Sequence, residues 1–264
     1  MWQLGVHKGP LACRGRKRTL GLIRIESLDP ISGSNLKHQM MKAEARFAMI
    51  RPWPIANNPT LFGKYHVLIK HAGTAPKVDH TAYVAPNAVV CGNVTIGPGC
   101  RIMYGAQIIA ESGSISLGKE CIIMENAVLR SSASHPLSMG NNCLVGPNAH
   151  VVGCTVEDEV FIATGAGIFH SAHLGRGSEV RINGVVHLKS HLAAGDTVPI
   201  GWVAVGNPAQ MFPSSEHERI WEIQKPLNLP LTVYGFERSE ATMEKITRRL
   251  SAALGSHVSD EPSV

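Results

Sequence analysis

From residue 78 onward an aliphatic side chain returns every six positions, at Val78, Val84, Val90, Ile96, Ile102 and Ile108. Three extra residues precede Leu117, after which Ile123 and Leu129 keep step, and a longer insertion precedes Met139, Val145 and Val151. One five-residue step leads to Val156, and Ile162, Ile168, Leu174, Val180, Val186 and Leu192 complete the series. Two positions before most of these aliphatics stands a small residue, such as Ala88, Cys100, Ala106, Cys121, Ala127, Cys143, Ala149 or Ala166. Neither an α-helix nor a simply alternating strand has this period. A triangular coil does: each side is one hexapeptide, and the large aliphatic and its small companion point inward together. Coils stacked at ~4.8 Å then form three parallel sheets.

The fold class is therefore mainly β, a left-handed parallel β-helix over residues 78–212, with C-terminal α-helices over 213–255. Ser215 and Glu218 have the spacing of a capping box before a helix that Pro226 ends. A second helix is expected from near Ser239 to Gly255, with Met243, Ile246 and Leu250 at helical spacing. Residues 49–77 read as a lead-in strand and loop, and 256–264 as a mobile polar tail.

Composition agrees with a core of small and branched aliphatic residues, since aromatics make up only 5% and glycines number 26. Cys100, Cys121 and Cys143 fall on small inward positions and are expected to be core thiols. The net charge of +5 is unevenly placed. Residues 1–50 hold nine Lys/Arg against three Asp/Glu, leaving sixteen against seventeen for the rest. The body thus offers no electrostatic footprint for nucleic acid, and residues 1–48 read as a basic, disordered extension without a secretory apolar region. No apolar run reaches the ~18–20 residues that span a bilayer. A soluble, cytoplasmic protein without a membrane partner is expected.

Four segments carry a more specific likeness: Val84-Ala-Pro-Asn-Ala88, Glu125-Asn-Ala-Val-Leu-Arg130, Val145-Gly-Pro-Asn-Ala-His-Val-Val-Gly-Cys-Thr-Val156 and Val205-Gly-Asn-Pro-Ala209. Over about Pro76 to Phe212 the chain resembles the hexapeptide-repeat superfamily, and within it the γ-class carbonic anhydrases and their non-catalytic relatives. The insertions at 109–116 and 130–138 fall where that family has loops. The resemblance implies a homotrimer with zinc held between subunits by three histidines, leaving a fourth position open for water. Those three positions fall on Arg130, Pro147 and Val152, none of which offers zinc a lone pair. The family's Arg–Asp pair falls on Ile109 and Glu111, and its Gln–Asp pair on Met124 and Glu125. Zinc is not expected at the family site.

Other residues provide candidate chemistry. His173 and His191 are eighteen residues apart, one coil, and should stack on one outer face as weak metal candidates or as a solvated ladder. His150 lies beside the family's ligand positions and is a third weak metal candidate. His135 opens His135-Pro136 in an insertion, resembling the loop histidine of hexapeptide acyltransferases. There an imidazole takes the acceptor's proton as it attacks an acyl-CoA thioester, acetyl-CoA for example. Glu125 is a candidate to orient a histidine or pair with Arg130. Arg130 and Glu111 would line an intersubunit cleft for a small molecule or anion such as bicarbonate or a CoA phosphate. Two functions follow: an acyltransferase-type enzyme with His135 as general base, or a non-catalytic trimeric anion-binding or assembly protein. A hydratase with relocated ligands is a third.

Overall fold

A computed structural model describes residues 68–263. The expected basic extension 1–48 and the first part of the 49–77 lead-in lie outside these residues. From Leu68 the chain winds through a parallel β-solenoid of about 8 turns. The six-residue phase is realised as a stack of inward aliphatics. Ile96, Ile102, Ile108, Ile123, Leu129, Ile162, Ile168, Leu174 and Leu192 are each under 2% exposed. Burying each such side chain stabilises the fold by about 1.5–3 kcal/mol relative to leaving it in water.

The small companions form their own ladders. Ile102 and Val145 both pair with Ile123, which brings Cys100, Cys121 and Cys143 into one column. Their thiols donate to the carbonyls of Gly118, Gly140 and Glu157, each at 3.1 Å. These are packed core thiols, as expected from their phase.

Three faces result. One carries Leu68–Lys70, the first halves of Val89–Ile96 and Gln107–Leu117, Val128–Ser131, His150–Val152, Gly167–Ile168, Val185–Val186 and Trp202–Val205. A second carries Leu137–Met139, Thr155–Val156, His173–Leu174 and His191–Leu192. The third is a separate seven-stranded sheet that includes Arg101–Ile102 and Leu144–Val145. The insertion at 109–116 is not a loop. Gln107–Leu117 is one continuous strand that turns the corner between the first two faces beside Val89–Ile96. The second insertion closes tightly, with Ser132 and His135 exchanging backbone hydrogen bonds of 3.1 and 3.0 Å.

At the far end Gln210–Pro213 folds back antiparallel on Trp202–Val205. Phe212 and Ile220 pack there on Val205. Ile220 belongs to α1, His217–Gln224, whose N-cap is Glu216 without a side-chain cap, so the expected Ser215 capping box does not form. Helix α2, Met243–Leu254, begins four residues later than expected, where Thr242 accepts from the Lys245 N–H. Of its expected apolar stripe only Ile246 is buried, while Met243 and Leu250 are exposed. The C-terminal tail does not trail free: Glu261–Pro262 pairs antiparallel with Leu68–Lys70, Ile69 opposite Pro262. Covering that edge strand removes a row of open backbone groups. No helix among the described residues is long and apolar enough to cross a membrane.

Candidate functional site

Arg130, Val152 and His150 gather on the first face because side chains flanking each inward aliphatic must point outward. The register places Cys91, Ile109, Arg130 and Val152 in one outward column on successive coils. Gln107, Val128, His150 and Gly167 form the parallel column beside it. Arg130 and Val152, two of the positions where the resemblance expects zinc ligands, are thus direct neighbours. Pro147 sits in the corner before His150–Val152, with its carbonyl accepting from the Gly165 N–H. A cation, a saturated ring and a hydrocarbon stand at the three positions, and these side chains do not fit a zinc ion.

Arg130 is committed elsewhere. Its guanidinium pairs with the Glu111 carboxylate, whose second oxygen lies 2.7 Å from His257 Nε2. Nδ1 of His257 is 2.7 Å from one oxygen of Asp260, and Nδ1 of His71 is 2.6 Å from the other. The two imidazoles stack at 4.3 Å. Cys91 Sγ completes the group at 3.8 Å from Asp260. Hydrogen bonding to Asp260, reinforced by Glu111, raises the pKa of His257 against the opposing effect of burial. Burial opposes ionisation of Asp260, yet hydrogen bonds from His257 and His71 outweigh it and hold the carboxyl below its usual range. Burial and the nearby carboxylates push the Cys91 thiol up to about 11.

Glu111 therefore meets Arg130 within the chain. Glu125 does not: it lies in the preceding corner, where its backbone carbonyl accepts from the Asn148 N–H. The pairing expected between Glu125 and Arg130 is replaced because Glu111 reaches the guanidinium from the strand below.

Further along the face lies a second imidazole group. His135 is 8% exposed, its Nδ1 3.0 Å from the Ser134 hydroxyl and 3.3 Å from that of Ser132. It meets His170 edge-on, with ring centroids 5.0 Å apart. Phe169 links His150 and His187 through edge and tilted contacts of 6.5 and 6.4 Å. Gly153, at φ +48°, leaves room for this turn, since a Cβ there would lie 2.5 Å from that of His135. Burial lowers the pKa of His135, helped by Lys189, and that of His150, helped by Arg130. Burial takes His170 down to about 4, with His135 and His150 adding to the effect, and also lowers His187. These rings are neutral at pH 7. A depression of about 340 Å³ near Asp79 and Pro98 is lined by none of the candidate residues.

His173 and His191 are on the second face, in register and stacked at 4.4 Å, as their spacing implies. Glu157 engages His173 Nε2 at 3.0 Å, and Arg176 lies on the same carboxylate through its backbone N–H. They join neither group on the first face. Sequence reasoning missed His71, Cys91, His170, His187, His257 and Asp260. His187 was within reach, because it follows Val186 as Arg130 follows Leu129. Nothing in the repeat signals His257 or Asp260, which arrive through the returning tail.

No protein-family model matches the chain. Among curated proteins it is similar to "Gamma carbonic anhydrase 1, mitochondrial" of Arabidopsis thaliana, 33% identical over 163 residues, 60% of this chain and 57% of that protein. "Gamma carbonic anhydrase 2, mitochondrial" of the same plant is 31% identical over 163 residues, 60% of this chain and 56% of that protein. The chain thus spans somewhat over half the length of these relatives. Among solved structures, a hexapeptide transferase family protein from Anaplasma phagocytophilum shares 21% identity at a TM-score of 0.37, covering 74% of this chain and 96% of that one. With its six-residue phase built into a parallel solenoid, the chain is similar over that solenoid to the γ-carbonic anhydrases.

Proposed function

We propose that the chain works as the subunit of a homotrimer, as a non-hydratase relative of the γ-carbonic anhydrases whose first face serves assembly. The observation that carries this reading is the Arg130–Glu111 pair standing beside Val152, where the resemblance expects two zinc-ligating histidines. Val152, Phe169 and the neutral rings of His150, His170 and His187 favour covering by another protein surface, because none carries a charge that burial would strand. The half-exposed guanidinium of Arg130 keeps N–H groups for a carboxylate or bicarbonate.

The test pairs mass with activity. Light scattering on the eluting peak is expected to give three times the 28.4 kDa chain mass, with no CO2 hydration above the uncatalysed rate. Arg130→His, Pro147→His and Val152→His together are expected to restore zinc binding at that position and measurable hydration. A monomer, or hydration by the unaltered chain, overturns the reading. Activity decides here, because zinc held elsewhere leaves it unchanged.

Acyl transfer is the second reading, favoured by the neutral His135 held through Nδ1 by the Ser134 hydroxyl. In that arrangement Nε2 takes the proton of an acceptor hydroxyl or amine as its oxygen or nitrogen attacks an acyl-CoA thioester and the CoA thiolate leaves. CoA release from acetyl-CoA that depends on an acceptor and disappears in His135→Asn puts this reading first. We place the protein in the cytoplasm. Two relatives carry "mitochondrial" in their names, so organelle fractionation of the full chain decides the compartment.

A further inference from the structure

We propose that His71, Cys91, His257 and Asp260 form a site for a divalent transition-metal ion, zinc by its donor set, which clips the C-terminal tail to the first coils. One ligand atom from each residue lies within 4.8 Å of all the others. Tetrahedral zinc, with bonds of ~2.0–2.3 Å, spaces its ligand atoms by roughly 3.3–3.8 Å. Closing that gap asks for about 1 Å of side-chain adjustment. Two imidazoles, a thiolate and a carboxylate match zinc in softness, whereas calcium and magnesium require oxygen ligands. The thiolate and carboxylate also neutralise the ion's charge, which a largely buried site demands: His71 and Cys91 are each 3% exposed.

Two further observations point the same way. Cys91 differs from the core thiols, since it stands in the outward column and approaches a carboxylate rather than a backbone carbonyl. The surrounding shell has the form found behind metal-bound histidines. Glu111 lies 2.7 Å from His257 Nε2, leaving Nδ1 for the ion, and Arg130 in turn holds Glu111. Binding moves the thiol proton of Cys91 and the proton between His257 and Asp260 to solvent. The site is independent of the assembly reading, because it needs neither a partner subunit nor the family's zinc positions.

The full chain, stripped with chelator and dialysed, is titrated with Zn²⁺ and with Co²⁺. One ion per chain is expected, and the cobalt form should show near-ultraviolet thiolate charge transfer. Cys91→Ser should abolish that band, and Cys91→Ser and Asp260→Asn should each weaken zinc binding at least tenfold. Glu111→Gln, acting through His257, should weaken it by roughly 10–100-fold. Absence of zinc binding at micromolar protein overturns the site. So does zinc affinity unchanged in Cys91→Ser and Asp260→Asn but lost in His150→Ala or His173→Ala. Should Cys91→Ser fail to fold, the unaltered chain still decides, because its cobalt form without a thiolate band overturns the site.

Discussion

Arg130 divides one face of the solenoid into two halves that share a repeat and differ in chemistry. Toward the first coils, imidazoles meet carboxylates: Asp260 lies between His71 and His257, and Glu111 between His257 and Arg130. Toward the last coils, His135, His150, His170 and His187 meet one another, Phe169 and the cations Lys189 and Arg130. Hydrogen bonding to Asp260 raises His257, while burial depresses His170 to about 4. The repeat supplies the same outward positions to both halves. What separates them is where acidic residues come from: the returning tail brings Asp260 to one end only.

Both halves rest on the same core, so a change beneath them should outweigh any change upon them. Leu129, the inward neighbour of Arg130 in Val128–Ser131, is wholly buried. Leu129→Ala should cost about 2–5 kcal/mol of stability, by lost burial plus the cavity left behind. Urea unfolding measures it, and a loss below ~1 kcal/mol would show that this coil repacks freely.

Removing residues 256–264 breaks the first half alone. His71 and Cys91 lose their cover, the pairing of Glu261–Pro262 with Leu68–Lys70 is lost, and Arg130–Glu111 loses its link to His257. The Cys91 thiol should then be alkylated by iodoacetamide many-fold faster than in the full chain, with Cys100, Cys121 and Cys143 unchanged in their carbonyl-bonded core slots. Equal protection of Cys91 in both forms would mean that the tail does not shield it.

The halves should also answer pH in opposite senses. His170 stays neutral in the folded chain down to about pH 4, whereas an unfolded imidazole takes a proton near 6.5. Its contribution is present above pH 6.5 and is lost as pH falls toward 4, by about 1 kcal/mol once solvent screening of a partly exposed ring is counted. His257, with a raised pKa, contributes below pH 6.5 and loses that contribution as pH rises through its folded value. Melting temperature followed against pH should therefore flatten on the acid side in His170→Asn and on the alkaline side in His257→Asn. Parallel profiles for the two variants would erase the distinction between the halves.

The smallest effect is expected at the rim of the first half. Lys70 and Glu261 pair at 3.1 Å with both side chains largely in water. Lys70→Ala should change stability by less than ~0.5 kcal/mol, with the tail strand retained by its backbone bonds. A larger loss in thermal unfolding would give this ion pair a role in holding the tail.

Much of the molecule is legible without a structure. Ile96, Ile123 and Leu174 announce the inward stack, Cys100, Cys121 and Cys143 the thiol ladder, and His173 with His191 their contact one coil apart. The corner strand Gln107–Leu117 is less legible, because an insertion breaks the phase whether it forms a loop or a continued strand. Ser215 and Glu218 illustrate another limit. Their spacing permits a capping box, yet the turn after Pro213 sets the helix entry at Glu216 instead.

A repeat is local information repeated, so sequence alone determined what depends on neighbouring coils: the prism, its three faces, its core and the stacking of His173 on His191. Tertiary structure decided which partners those outward residues meet. Glu111 and His257 are separated by 146 positions, and His71 and Asp260 by 189. No period connects them, because the tail reaches the first coil only after the chain has wound the whole solenoid and turned back through α1 and α2.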